Sequence, residues 1–226
     1  EVRAVLEGKA KYDKAIWKGL ADLGLLGIAI PEEFGGAGAG RLELCVVAEE
    51  LGRALAPIPY SSTVYLASEL LMQAGSDAQK KHWLPKIAAG EAIGTLALVE
   101  GVGDPTPKSI HASVSGGKLT GKKTLVPEGE IADFAIVVAR EKSGDDARGI
   151  GLYIVDMKGA GVSATGVETV DPTRNHAEVS FNGAPADPLG AVGEGWATLD
   201  KVLDRAAILT AFEQIGGADR ALEMGR

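Results

Sequence analysis

The chain has 226 residues, with 31 acidic against 23 basic side chains and a formal net charge of −8. That balance excludes the basic footprint of a nucleic-acid binder, while leaving room for a phosphate-bearing ligand held by a few local cations and backbone N–H groups. One Cys and three His exclude a disulfide scaffold and a zinc site. No metal site is expected, and no apolar run approaches the length of a membrane span. Residues 1–14 lack the apolar core of a secretory signal, so the expected location is cytoplasmic. Glu1 is not an initiator Met, which leaves residues in front and a removed targeting segment open.

Residues 1–93 read as a helical domain. Asp13 is placed to cap a helix that carries Ile16, Trp17, Leu20 and Leu23 on one face, with Gly24 ending it. The glycine-dense stretch Gly35 to Gly40 reads as a loop. Leu44, Val47, Leu51 and Leu55 recur at turn spacing in a second helix over 42–55, stopped by Pro57 and Pro59. Ser62 to Ala74 forms a third apolar helix. Ser76 and Gln79 make a capping box for a fourth, expected to end near Pro85.

From Gly94 the texture changes. Thr95 to Glu100, Phe134 to Val138 and Leu152 to Val155 are short apolar or β-branched runs bounded by turn residues. Val114 to Leu119, with Gly116 and Gly117 at its centre, reads as a two-residue hairpin. No helical pattern separates these strands, so residues 94–191 are expected to form a mainly antiparallel, barrel- or sandwich-like β-domain. Helix returns from Trp196, with an interruption expected near Arg205. Residues 192–226 are expected to start a third, helical domain, with nothing left in the chain for this helix to pack against. The fold class is therefore α+β.

Most chemical signatures are absent. There is no P-loop and no nucleophile elbow, and the glycine clusters fail dinucleotide-binding spacing. Cys45 sits on an apolar helix face and reads as an inert buried thiol. His82, His111 and His176 read as a helix residue, a strand residue and a loop residue with surface or structural roles.

Several strings nevertheless resemble one family in chain order. They are Leu23-Gly24-Leu25-Leu26-Gly27 with Ile30 to Gly36, then Gln79 to Glu91, then Leu119-Thr120-Gly121-Lys122-Lys123-Thr124 with Ala132-Asp133, then Leu189-Gly190 with Gly193 and Gly195. Together they resemble the acyl-CoA dehydrogenases. The resemblance implies a helical domain, a β-domain and the start of a helical bundle. It also implies FAD, an acyl-CoA thioester substrate, α,β-oxidation with hydride transfer to the flavin, an electron-transfer flavoprotein or similar acceptor, and a dimer or tetramer.

The same resemblance places the flavin against two segments. The family's Thr-Glu-Pro strand reads here Leu96-Ala97-Leu98-Val99-Glu100-Gly101, and its Lys-x-Trp-Ile-Thr segment reads Lys123-Thr124-Leu125-Val126-Pro127. Leu96, Leu98, Val99, Leu125, Val126 and Pro127 are thus the expected cofactor contacts, with Leu96 also lining the start of the acyl pocket. Val99 and Pro127 lack hydroxyls found in the family, and Leu125 replaces an aromatic wall. Asp204 falls on the Asp-x-x-Arg motif that touches CoA, with Ala207 in the Arg position. Ala206 occupies one known position of the catalytic base, so no catalytic residue is assigned. A non-catalytic scaffold subunit of a hetero-oligomer and a flavin acyl-CoA oxidase are the competing readings.

Overall fold

A computed structural model describes residues 2–141, 146–191 and 193–226. Glu1 and position 192, where the third segment of the sequence reading begins, lie outside the described residues. The helical half comprises α1 (Val2–Leu6), α2 (Lys14–Asp22), α3 (Arg41–Ala54), α4 (Glu69–Ala74) and α5 (Asp77–Ala88). Asp13 caps α2 by accepting from Ala15 N and Ile16 N at 2.9 and 3.0 Å. Trp17 is buried and Leu23 is exposed, because α2 stops before Leu23 and Gly24 turns the chain at positive φ. Leu55 is likewise exposed, as the left-handed residue that closes α3.

The third helix of the sequence reading is one continuous helical segment of two kinds. Ser61–Ser68 is wound in the wider π form and passes directly into α4. Thr63 fixes it to the sheet, its hydroxyl donating to Gly94 O at 3.1 Å and accepting from Gly94 N at 3.3 Å. The capping box of Ser76 and Gln79 forms. The helix does not end at Pro85, however, but runs on to Ala88. Leu84 and Ile87, both fully buried, hold the turn that proline weakens.

Eight strands are described: β1 (Gly94–Ala97), β2 (Ser113–Ser115), β3 (Lys118–Pro127), β4 (Phe134–Arg140), β5 (Ile150–Asp156), β6 (Val162–Val167), β7 (His176–Pro185) and β8 (Asp187–Leu189). They form one sheet, antiparallel except where β1 and one residue of β2 run parallel to β4. The β2–β3 hairpin turns on Gly116 and Gly117, both left-handed. His176 opens β7 rather than lying in a loop, and His111 lies just outside β2.

β4 shows how the layers meet. Ala135, Val137 and Ala139 enter a core shared with Trp17, Leu44, Ala48 and Tyr65, and Phe134, Ile136 and Val138 enter another with Leu70, Leu84 and Ile87. Strand alternation thus feeds both faces, which is why β4 reads as one unbroken apolar run.

The final helix, α6 (Gly195–Met224), corrects two expectations. It passes Arg205 without a break, and it packs extensively within the chain. Leu199 and Val202 join the core beside β5, and Ala206 and Leu209 join the core beside α3. Farther along, Gly52 of α3 and Gly216 of α6 let the two backbones touch. A Cβ on Gly52 would run into the Glu213 carbonyl, and one on Gly216 into the Glu49 carbonyl. Arg205 pairs with Glu69, and Arg53 with Asp219 and Glu223. A helix near the chain end looks partnerless in sequence because its partners lie about 150 positions upstream. Its far face carries Ile208, Ile215 and Leu222, exposed at seven-residue intervals. Among the described residues no helix is long and apolar enough to cross a membrane.

The Gly–Gly crossing gives a graded expectation. Gly52→Ala should destabilise the chain by about 2 kcal/mol through overpacking, lowering Tm by roughly 4–8 °C. Gly217→Ala, whose added carbon would meet only Gly52 O at 3.6 Å, should be neutral or stabilising by up to about 1 kcal/mol from helix propensity. Thermal unfolding of the two variants side by side checks this. Equal Tm values would remove the crossing as a constraint.

Candidate functional site

The site starts from β1, which lies between the helices and two strands. Thr95 Oγ1 donates to Pro127 O at 2.6 Å, and Thr124 N donates to Val99 O at 2.8 Å. Residues 95–99 and 124–127 therefore run side by side. Between Lys123 and Val126 the β3–β7 register shifts, so Thr124 and Leu125 leave that ladder as a bulge. Leu125 holds φ 50° and Glu128 φ 51°. Two non-glycine left-handed residues within four positions concentrate backbone strain in this stretch.

The bulge decides which side chains are offered outward. Leu96, Leu98 and Val126 are buried in the two cores. Leu125 is 48 % exposed, and Val99, Thr124 and Pro127 are half-buried. The accessible surface is therefore an apolar shelf of Val99, Leu125 and Pro127 with Thr124 between them. Asp204 and Ala207 are exposed on α6, and Ala206 is buried against α3.

Beneath the shelf lies an ion pair that sequence reasoning missed. Lys123 is 0 % exposed, and its ammonium donates to Glu100 Oε1 at 2.5 Å and Leu98 O at 3.0 Å. Burial lowers its pKa to about 8, opposed by the Glu100 charge. Glu100 also accepts from His111 N at 2.6 Å and Ala112 N at 3.1 Å. It thereby closes the glycine-rich loop 101–110 onto β3. Arg140 grips the same loop, its Nε donating to Ile110 O at 3.2 Å and its Nη2 to Pro107 O. A sequence signal existed, since the alternation that buries Leu119 also turns Lys123 inward.

A second polar cluster begins one residue beyond the shelf. Glu128 is buried, and its N–H donates to Asn175 O at 2.8 Å. Burial pushes its carboxyl up to about 7, against the pull of Arg174 and a hydrogen bond with Ser62. The Ser62 hydroxyl donates to Pro59 O at 3.2 Å. Arg174 donates to Ser61 Oγ at 2.7 Å and to Glu213 Oε2 at 3.2 Å, and the Tyr65 hydroxyl donates to Glu213 Oε1 at 2.8 Å. Burial and the Glu213 charge raise the Tyr65 pKa. No sequence pattern links Arg174 to Ser61 and Glu213, or Tyr65 to Glu213, because each of these pairings spans 39 positions or more. No group of three metal-ligating side chains occurs among the described residues.

A family model for the acyl-CoA dehydrogenase N-terminal domain matches residues 1–91. Acyl-CoA dehydrogenase FadE27 of Mycobacterium tuberculosis is 33% identical over 218 residues, covering 95% of this chain and 55% of that protein. A variant of the Tcur3481-Tcur3483 steroid ACAD superposes with a TM-score of 0.85 at 34% identity, over 99% of this chain and 59% of its own. The ChsE4-ChsE5 complex from Mycobacterium tuberculosis gives a TM-score of 0.84 at 30% identity, over 98% of this chain and 59% of the matched chain. The chain thus spans about half the length of the curated relatives it matches.

Two outcomes test the site's electrostatics. Lys123→Met leaves the buried Glu100 carboxylate without its cation and should cost about 3 kcal/mol in denaturant unfolding. Adding Glu100→Gln should recover part of the loss, and a single-variant cost under about 0.5 kcal/mol would mark the pair as dispensable. For Glu128, the folded pKa of about 7 lies above the ordinary 4.5. The native state therefore binds the proton more tightly, and stability falls as pH rises from about 4.5 to about 7, by a contribution on the order of 3 kcal/mol. Glu128→Gln should flatten that slope in unfolding measured across the window.

Proposed function

Because the chain belongs to the acyl-CoA dehydrogenase family, we propose that it holds one face of FAD on the Val99–Leu125–Pro127 shelf of an enzyme that oxidises an acyl-CoA thioester between Cα and Cβ. The observation that carries this reading is the Thr124 N to Val99 O bond at 2.8 Å, which joins the two expected flavin segments into a single surface.

The residues present fit a planar ring by packing. Val99, Leu125 and Pro127 offer accessible apolar side chains, and the bulge frees backbone at Thr124 and Leu125 from the β7 ladder. Leu96, Leu98 and Val126 act from below by fixing the strands. The hydroxyls absent at Val99 and Pro127 cost about 0.5–1.5 kcal/mol each in hydrogen bonding, a loss that tunes affinity without abolishing a packed shelf. FAD supplies the hydride acceptor for the substrate β-carbon. Asp204, exposed on α6, is the group proposed to meet the CoA moiety. Ala206 and Ala207 carry no titratable group, so neither can take the α-proton. An electron-transfer flavoprotein as acceptor and an oligomeric assembly belong to the same proposal.

A scaffold role within a hetero-oligomer is the second reading. Alanine at 206 and the hydroxyl-poor shelf favour it, and one similar structure is itself a complex of two named components. Full-length protein carrying residues 1–226 separates the readings. The expected result is a yellow protein whose flavin absorbance bleaches on anaerobic titration with an acyl-CoA. A colourless protein that takes up no added FAD would overturn the enzyme reading in favour of the scaffold. Leu125→Asp, which sets a charge on the shelf, should weaken FAD affinity at least tenfold by fluorescence titration, with the fold retained in circular dichroism.

A further inference from the structure

The junction between the shelf and the polar cluster holds a carboxyl sealed from water. Glu128 is 2 % exposed, and its Oε2 has no hydrogen-bond partner among the described residues. Its surroundings set two carboxyls around a single guanidinium. Arg174 acts on Glu128, pairs with Glu213 at 3.2 Å and also donates to Ser61 Oγ. Glu213 further accepts from the Tyr65 hydroxyl. A buried cluster with one cation stabilises one anion, so Glu128 is the member that keeps a proton. Its pKa of about 7 agrees with that count. Of the other titratable groups nearby, burial raises the Tyr60 and Tyr65 phenols, Asp171 accepts from Thr173, and Glu130 is paired with Lys11. His176 stands opposite Pro127 across the β3–β7 ladder.

We propose that Glu128 is a positioning residue for the flavin shelf, holding the turn at 125–128 closed while its carboxyl carries a proton and releasing it when that proton leaves to water. The inference rests on the flavin reading above and adds its proton dependence. Two effects act in the same direction once the carboxyl ionises. A buried carboxylate without a free cation gains hydration by moving outward. Arg174 cannot neutralise it in place without leaving Glu213 unpaired beside Tyr65. The turn is also held at positive φ at Leu125 and Glu128, a conformation unfavourable for residues other than glycine. Outward movement relaxes that strain. The contact it breaks is Glu128 N to Asn175 O at 2.8 Å. Leu125 and Pro127 belong to the same turn, so their side chains leave the shelf with it.

Two measurements on full-length protein carrying residues 1–226 test this, one of them without flavin. FAD affinity by fluorescence titration should be about tenfold weaker at pH ~8.5 than at pH ~6, because each unit above a pKa cuts the protonated share about tenfold. In the flavin-free protein, hydrogen exchange of residues 124–130, corrected for the intrinsic effect of pH, should show protection falling over the same range. Glu128→Gln keeps the shape and cannot ionise, so it should hold both signals level. Glu213→Gln frees Arg174 for Glu128 and should move both transitions to lower pH. Should Glu128→Gln fail to fold, the Glu213→Gln midpoint decides, and an unmoved one overturns the proposal. Flat protection, an FAD affinity that holds across the range, or transitions that persist in Glu128→Gln overturn it as well. The flavin reading fails separately. Protection that falls with pH in a protein that takes up no FAD at any pH sinks that reading and keeps the turn, and tight FAD binding with flat protection does the reverse.

Discussion

A lysine ammonium with no access to water constrains everything around it. Lys123 must find its hydrogen bonds inside the protein, and it finds them at Leu98 O and Glu100 Oε1. Both acceptors belong to the segment that continues β1, so the charge ties β3 to that segment at a fixed register. Thr95 and Thr124 add bonds on either side of the tie. A slip by one residue would turn Lys123 toward water and Thr124 into the core. The shelf exists because that slip is prohibited. Glu100 extends the constraint to the loop that follows, since its oxygens also hold the amides of His111 and Ala112. A buried ion pair of this sort contributes little net stability, and its value lies in specifying one arrangement.

The shelf and the polar cluster beyond it answer different physical demands. At Val99, Leu125 and Pro127 the chain presents carbon and backbone, which suits a flat aromatic face and asks for no proton. At Arg174 and Glu213 it presents a partly buried ion pair, with the buried Glu128 carboxyl beside it raised to about 7 by desolvation. The two zones meet at residues 125–128, where the backbone is twice left-handed. Strain there is sustained by the Lys123 anchor on one side and by the Glu128 N to Asn175 O bond on the other. A regular strand would have carried Leu125 into the ladder and left no outward apolar surface.

Local features were legible in sequence because they depend on neighbours. Asp13 before α2, the Ser76 and Gln79 capping box, and Gly116-Gly117 at the hairpin each obey rules that operate within a few residues. The change from helical to strand texture near Gly94 was legible for the same reason. The path of α6 was not, because its contacts are with α3 and β5, and the two glycines that set the crossing look like weak helix formers until they are seen together. Pro85 misled in the opposite sense, since a local breaker was overridden by buried Leu84 and Ile87. Of the candidate site, the segments were legible and the facing of their side chains was not. The bulge between Lys123 and Val126 shifts alternation, so a period-two reading sends Leu125 to the wrong side. The Arg174–Glu213 pair joins residues 39 positions apart and leaves no trace in either neighbourhood.

The shelf and position 206 answer to separate constraints. The features that form the shelf are backbone hydrogen bonds, a bulge and a buried cation, and none of them depends on the hydroxyls absent at Val99 and Pro127. Substitution at those two positions therefore leaves the backbone frame of the shelf in place. Position 206 obeys a different rule. A methyl group at Ala206 has no lone pair to offer, and it is buried in the core that joins α6 to α3. Moving α6 is in turn opposed by the Gly52–Gly216 contact and by the pairing of Arg205 with Glu69. Helix α6 is thus fixed against α3 and α4 by close backbone contact and ion pairing.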